Sequence, residues 1–477
     1  MLFSSITFIV CFLPLVLLAY YYCPSSKARN ILLLLASLIF YGWGEPKYIL
    51  VMLFSILINY RVGILLGEAA YSNFTRRCIL AIGISINIFL LFYFKYFVFS
   101  ERVINKIFRL INYPQFQLPL ANIVLPIGIS FYTFQSISYL IDVHKNKMLV
   151  EKSILNLGLY ISFFPQLIAG PIVRFHDINE QIKERKSSVN LFVSGIERFI
   201  IGLSKKVLIA NVMAMTADRI LVLSPDTVPF YYLALGILCY TFQIYYDFSG
   251  YSDMAIGLGR MFGFNLLENF NYPYISKSIT EFWRRWHISL SSWFKDYLYI
   301  PLGGNRKGKN RTTLNLFIVF FTTGLWHGAA INFVFWGLGH GMLLFVEKII
   351  NDGGRRVFKN NHLNNIFGHL YTLVSVLVLW VFFRLDIKTG LLFLKELITF
   401  NQGNGNVSLF LNSIINTHFI ICFCAALLFS FPWWRKLAGI KCLYNAPVKF
   451  CVLIILLVLS MSSLATNAYN PFIYFRF

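Results

Sequence analysis

The chain has 477 residues, of which 57% are hydrophobic, 18% aromatic and only 13% charged, with a mean hydropathy of +0.65. That composition excludes a water-soluble globular enzyme and points to a chain dissolved largely in lipid. The formal net charge of +22, from 42 basic and 20 acidic residues, follows from the retention of Lys and Arg in short cytoplasmic loops and calls for no nucleic acid.

Apolar runs near the spanning length recur along the chain, giving about eleven or twelve candidate transmembrane helices. The expected fold is therefore all-α and polytopic, as one integral-membrane domain over residues 1–477. The runs are long and continuous, which excludes a membrane barrel of alternating strands. The eight cysteines are scattered. Cys422 and Cys424 point in different directions on a helix, and neither a disulfide framework nor a metal site follows.

In chain order, Met1 to Tyr22 reads as a retained span, since it has neither a basic leading region nor a small-residue cleavage site. Lys27 and Arg29 then mark a cytoplasmic connection, which places the N-terminus outside. Ile31 to Trp43 runs outward to GWGEPK, Val51 to Leu66 returns to Arg76 and Arg77, and Ile79 to Phe99 leaves again. Ser100 to Leu120 mixes Arg102, Lys106 and Arg109 with apolar residues and suits an interfacial helix. The segments ANIVLPIGISFYTFQSISYLIDV and FFPQLIAGPIVRF are interrupted by proline and glycine, as tolerated where a chain lines a cavity. Arg174 to Lys186 belongs in water.

Val193 to Ala210 is followed by Tyr231 to Gly259, whose Asp247 and Asp253 lie in an apolar stretch. Each needs a partner such as Arg260, Arg174 or a backbone amide. They read as buried anchors of a broken helix more readily than as chemistry. Thr313 to Leu325, Phe333 to Val346, Leu370 to Phe383, Phe419 to Phe431 and Phe450 to Leu464 complete the spans. This parity leaves the tail, residues 466–477, outside the cytoplasm.

The stretch from Glu281 to Gly341 carries the chemistry. His287, in RRWHISL, and His327, in GLWHGAA, each follow a tryptophan, Trp286 or Trp326, and an ionisable ring at membrane depth is a functional hypothesis by default. A neutral imidazole can take a proton from a hydroxyl as its oxygen attacks a carbonyl, and tryptophans exclude the water that would hydrolyse an activated ester. The bland alternative is a polar ring that bonds a neighbouring helix. His340 lacks an evident aromatic shield, and His144, His176, His362, His369 and His418 read as loop or interface residues. Between the two central histidines, GGNRKGKNR carries Arg306, Lys307, Lys309 and Arg311 with no acid, a water-facing surface for a phosphate-bearing partner. A helix from Arg311 to His327 climbs about 24 Å at 1.5 Å per residue. His327 thus belongs nearer the outer face than the loop. No GxSxG, GxGxxG, P-loop or HExxH pattern occurs.

This stretch, with YYDFSGYSDMAIGLGRMFGFNLLENFNYP, the two interrupted segments and the opening LFSSITFIVCFLPLVLLAYYY, closely resembles the membrane-bound O-acyltransferase family. It is most similar to the bacterial branch that serves O-acetylation of alginate, peptidoglycan and exopolysaccharide. The resemblance runs nearly end to end. It implies helices ringed around a central funnel in a bacterial inner membrane, with His327 as catalytic base at a tunnel floor and His287 as its pair. It implies acetyl-coenzyme A, or alternatively an acyl-carrier protein, on the basic loop, with Arg284 and Arg285 adding to that surface. It further implies an extracytoplasmic SGNH-type acetyltransferase partner. The ending FIYFRF resembles an aromatic acyl-carrier motif, with Tyr474 receiving the acyl group; the alternative is an aromatic-belt anchor. A transporter or flippase is the competing class, although no symmetry between the halves supports it.

Overall fold

The computed structural model describes residues 1–68, 70–146, 148–168, 170–352, 361–403, 407, 411–433, 446–466 and 469–473. Among these every regular element is helical. The first is α1 (Leu13–Tyr22), followed by α2 (Ser26–Gly44), α3 (Ile49–Gly67), α4 (Asn73–Leu91) and α5 (Phe97–Leu110). Then come α6 (Ile129–His144), α7 (Ile154–Ser162), α8 (Phe164–Leu167), α9 (Phe175–Lys183), α10 (Val189–Ser204), α11 (Asn211–Leu221) and α12 (Phe230–Met261). The remainder are α13 (Ile279–Arg285), α14 (Ile288–Phe294), α15 (Lys309–His327), α16 (Ile331–Asp352), α17 (Asn361–Arg384), α18 (Ile387–Ile398), α19 (Thr417–Phe429) and α20 (Ala446–Thr466).

Among the described residues six helices are long and apolar enough to cross a membrane, and Phe8–Tyr22 and Thr417–Phe429 are shorter apolar helices. The chain is a multi-pass membrane protein. Several expected spans resolve differently. α5 does not lie apart as an interfacial helix: it continues α4 through a π turn at Phe92–Tyr96, with Arg102, Lys106 and Arg109 on its exposed side. The two interrupted segments are broken as expected. Residues 120–128 are irregular up to Gly128, whose φ of 78° precedes α6, and α7 and α8 are parted at Phe163 beside Pro165.

The expectation of a broken helix at Asp247 and Asp253 is not met. α12 runs unbroken for 32 residues, about 48 Å at 1.5 Å per residue. It crosses α10 closely because two glycine pairs face each other at seven-residue spacing. A Cβ on Gly257 would lie 2.6 Å from the Gly195 carbonyl oxygen, and one on Gly250 2.7 Å from that of Gly202. Small residues are what let backbones meet where lipid supplies no hydrophobic drive. The aspartates then find lysine and arginine on the facing chain rather than Arg260 or Arg174. Asp253 pairs with Arg198 at 2.6 Å and Lys205 at 2.7 Å, and the almost fully buried Asp247 pairs with Lys206 at 2.7 Å.

The tail is likewise drawn inward. Tyr469 bonds Asp218, Asn470 bonds Asn211 and Ser4, and Lys206 donates to the carbonyl of Pro471. The Ile473 amide donates to Asp247 Oδ2 at 2.8 Å. Successive tail residues thus meet positions 218, 211 and 206, a descent along the neighbouring helices. Phe472 and Ile473 are buried, so this part of the tail is not a free external strand.

Apolar side chains form two cores. One gathers α1 to α4, α6 to α10, the second half of α12 and α14 with Trp326 and Phe472; the other gathers α11, the first half of α12, α13 and α16 to α19. Replacing Gly257 by Val forces α10 from α12 and is expected to destabilise the protein by about 1–3 kcal/mol, read as a lower unfolding midpoint in detergent. Gly158→Ala, whose Cβ meets its nearest neighbour at 3.5 Å, is expected to leave the midpoint unchanged or slightly raised.

Candidate active site

The two central histidines sit where the cores meet. His287 packs edge-on against Phe248 of the first core, centroids 4.6 Å apart. His327 packs against Trp326 of the first core at 4.9 Å and against Trp336 and Phe383 of the second at 5.0 and 5.2 Å. Trp326 stands between the imidazoles, 5.9 Å from His287.

His287 is held in a left-handed conformation, φ 43°, directly before α14. Strain of this kind persists only where surroundings over-determine it, and Asn269 does so. Its backbone carbonyl accepts the Ile288 amide at 2.9 Å. Its side-chain Oδ1 accepts the Ser289 amide at 3.2 Å and the Ser289 hydroxyl at 2.9 Å, while Nδ2 donates to Ser252 Oγ at 3.0 Å. A backbone amide can only donate, so the Asn269 orientation is fixed. His287 Nδ1, 3.1 Å from the same Oδ1, therefore carries the proton. Nε2 is left with its lone pair and meets no hydrogen-bond partner among the described residues.

His327 ends α15 and is 6% exposed; neither of its ring nitrogens meets a partner among the described residues. Its backbone is fixed from the π turn at Phe92–Tyr96. Tyr96 donates to the Leu325 carbonyl at 2.8 Å, and Lys95 Nζ donates to that of Trp326 at 2.5 Å, with the His327 carbonyl at 3.4 Å. A cavity of about 270 Å³ borders His327, with Glu45, Lys95, Gly128, Ser130 and Trp326 in its wall. A buried base beside a space large enough for a small acyl group suits proton transfer between a hydroxyl and an acyl carbonyl.

His340 is better shielded than its sequence context suggests. It is fully buried beside Phe282, Trp283 and Trp336, and Trp283 Nε1 donates to its Nδ1 at 3.3 Å. That bond gives it the structural role of joining α13 to α16. Glu347 of α16 also accepts the Ile279 and Thr280 amides at the start of α13. Trp286 is buried on Phe282 and Trp380 and forms wall, not cavity.

The predicted basic surface divides in two. Arg306, Lys307, Lys309 and Arg311 are all exposed, as is Arg284, but Arg285 is engaged by Glu281 at 2.8 Å and by the Asn271 carbonyl. Asp247 and Asp253 are ion-paired anchors that hydrogen-bond neither imidazole. Tyr474 lies outside the described residues. Sequence reasoning missed Lys95 and Asn269. Lys95 is a lone cation in LFYFKYFVF, and the depth argument that singled out the histidines applies equally to it; Asn269, in ENFNYP, carries no such signal.

His176, read as a loop or interface residue, belongs to a second polar cluster. Its Nδ1 lies 2.8 Å from Asp142 Oδ2 and its Nε2 3.2 Å from Asp177. Asp142 also accepts from Tyr297 at 2.7 Å, and Arg174 pairs with Asp296. The cluster thereby ties the π turn Lys295–Tyr299, just before the basic loop, to α6 and α9. Hydrogen bonds to Asp142 and then Asp177 raise His176 from 6.5 to about 9. Its folded value lies above the unfolded one, so its stabilisation is complete below pH 6.5 and is lost as pH rises through about 9. The wild-type unfolding midpoint is expected to fall more between pH 6.5 and 9.5 than that of His176→Gln; parallel profiles contradict this.

Comparison with known proteins gives the family. The sequence model of the membrane-bound O-acyltransferase family matches residues 144–385, a span that includes both central histidines. The chain is 43% identical to the probable alginate O-acetylase of Pseudomonas aeruginosa over 387 residues, 81% of this chain and 72% of that protein. It is 36% identical to the peptidoglycan O-acetyltransferase of Helicobacter pylori, over 84% of this chain and 80% of that one. The teichoic acid D-alanyltransferase of Bacillus subtilis is 30% identical over 51% of this chain and 65% of its own length.

Proposed function

The chain belongs to the membrane-bound O-acyltransferase family and is an O-acyltransferase, and we propose that it passes an acetyl group from a cytoplasmic thioester across the bacterial inner membrane for O-acetylation of an envelope polysaccharide. The observation that carries the reading is His327: a buried imidazole packed among Trp326, Trp336 and Phe383, both nitrogens without a partner among the described residues, bordering a cavity whose wall includes Trp326 and Phe131. As base, it takes the proton of an attacking hydroxyl. The surrounding rings keep water from consuming the acyl group.

Acetyl-coenzyme A is the proposed donor. The exposed cations Arg306, Lys307, Lys309 and Arg311, with Arg284, suit its phosphates. Placing this loop in the cytoplasm follows the retention of basic residues there and puts both termini outside. The cavity at His327 shares a wall with Glu45, in the turn after α2, which on that topology is external. The acceptor hydroxyl is assigned to Tyr474. In support, Ile473 is delivered into the core and its amide is tied to Asp247, next in sequence to the Phe248 that packs on His287. A phenol needs a base to act as nucleophile at neutral pH. The aryl ester formed is itself activated and passes its acetyl to the serine of an extracytoplasmic SGNH-type partner.

In proteoliposomes given radiolabelled acetyl-coenzyme A on the basic-loop side, the wild-type protein is expected to become labelled at Tyr474. His327→Ala is expected to slow labelling by about 10²–10⁴-fold, the contribution of a general base. Tyr474→Phe is expected to abolish the label while leaving donor binding unchanged. Persistent labelling of the Phe variant overturns the carrier assignment, and an undiminished rate in His327→Ala overturns the base.

A further inference from the structure

We propose that Lys95 is a catalytic residue that holds the negative charge developing on the acyl carbonyl oxygen during transfer at His327, an inference that rests on the acyl-transfer reading above. The two residues line one cavity. Lys95 is carried there by the π turn Phe92–Tyr96, a distortion frequent at functional sites. Its Nζ lies 2.5 Å from the Trp326 carbonyl oxygen, 3.4 Å from that of His327 and 3.4 Å from Ser130 Oγ. It also lies 6.0 Å from the centroid of the Trp326 ring.

Capping α15 does not by itself account for a cation in this place. Tyr96 already bonds the Leu325 carbonyl from the same turn, and a neutral donor would serve the next carbonyls without the cost of removing an ammonium group from water. Glu45 lines the same cavity, yet no carboxylate lies within ion-pair distance of Lys95 among the described residues. An ammonium group neutralised only by carbonyl dipoles is suited to a negative charge that exists for part of the reaction. Two of its three contacts are at the long limit of hydrogen bonding, so an N–H can turn to a stronger acceptor.

In the transfer step the acceptor hydroxyl oxygen bonds to the carbonyl carbon while its proton moves to a ring nitrogen of His327. The carbonyl π pair moves onto the oxygen, which becomes the oxyanion beside Lys95 Nζ. The pair then returns, the carbon–sulfur bond breaks, and the leaving thiolate takes the proton from the imidazolium. A pre-placed donor aimed at that oxygen stabilises the intermediate without reorganising.

The experiment measures single-turnover acetyl transfer, acetyl-coenzyme A affinity and unfolding midpoint for the wild type, Lys95→Ala, Lys95→Met and Tyr96→Phe in proteoliposomes. Both Lys95 variants are expected to lose about 10²–10³-fold in rate, with donor affinity within about twofold of wild type. Tyr96→Phe, which removes the other clamp on the end of α15 without touching the cavity, reads the loss due to misplacing His327 alone and is expected to fall at least about tenfold less than either Lys95 variant. Added methylammonium or ethylammonium is expected to restore at least about tenfold of the loss in Lys95→Ala but nothing in Lys95→Met, where the side chain fills the space. A loss of under tenfold, an equal loss in Tyr96→Phe, or no rescue by any alkylammonium overturns the proposal. A wild-type protein that transfers no acetyl group in this assay instead fails the reading on which the proposal rests.

Discussion

The structure depends on keeping two imidazoles in place at the seam between two apolar cores, where water cannot hold or orient them. In such surroundings a ring is positioned only by what it touches. For His287 that is one side-chain oxygen: Asn269 Oδ1 collects the ring Nδ1 and the amide and hydroxyl of Ser289. This contact sets tautomer and backbone together, and it holds the left-handed residue from which α14 starts. His327 is fixed differently, through backbone carbonyls clamped by Lys95 and Tyr96 and a ring wedged among Trp326, Trp336 and Phe383. One imidazole is thus anchored through its nitrogen and the other through its main chain. The second leaves both nitrogens without a partner among the described residues.

Charge elsewhere in the apolar interior is disposed in the opposite way, by close pairing. Asp253 faces Arg198 and Lys205, and Asp247 faces Lys206. Leaving one partner of such a pair alone in low dielectric is strongly destabilising, so these contacts lock α10 and the turn after it onto α12. The glycine pairs make the lock possible by bringing the helix backbones together. The same ion pair supplies the socket for the tail, since Lys206 binds the Pro471 carbonyl and Asp247 the Ile473 amide. Packing of α12 and insertion of residues 469–473 are one construction.

Much of this was legible in the amino-acid order. Hydropathy gives the helical membrane class, proline and glycine mark the breaks at Gly128 and Phe163, and the tryptophan–histidine pairs mark the centre. What failed is instructive. Asp247 and Asp253 suggest a broken helix because a carboxylate in an apolar run looks intolerable; the lysines and arginine that neutralise them lie about 40 to 55 residues earlier, on a helix whose facing side only the fold reveals. α5 reads as a separate interfacial helix because charge interrupts the hydropathy, yet a π turn carries the helix through. His340 looks unshielded because Phe282 and Trp283 are distant in sequence, although Trp336, four residues before it, belongs to the same shield. Lys95 was the avoidable omission, being conspicuous by the rule applied to the histidines.

The ordering of the seam turns on a neutral His287 with its proton on Nδ1 and its Nε2 lone pair bare, beside the Trp326 ring that also packs on His327. Nitrogen-15 spectra of histidine-labelled protein in lipid bilayers at pH 7 test this directly, with the resonance assigned by its absence from His287→Gln. The predicted result is a neutral ring protonated at Nδ1 that loses this preference in Asn269→Leu. A ring protonated at Nε2, or an imidazolium, would contradict it.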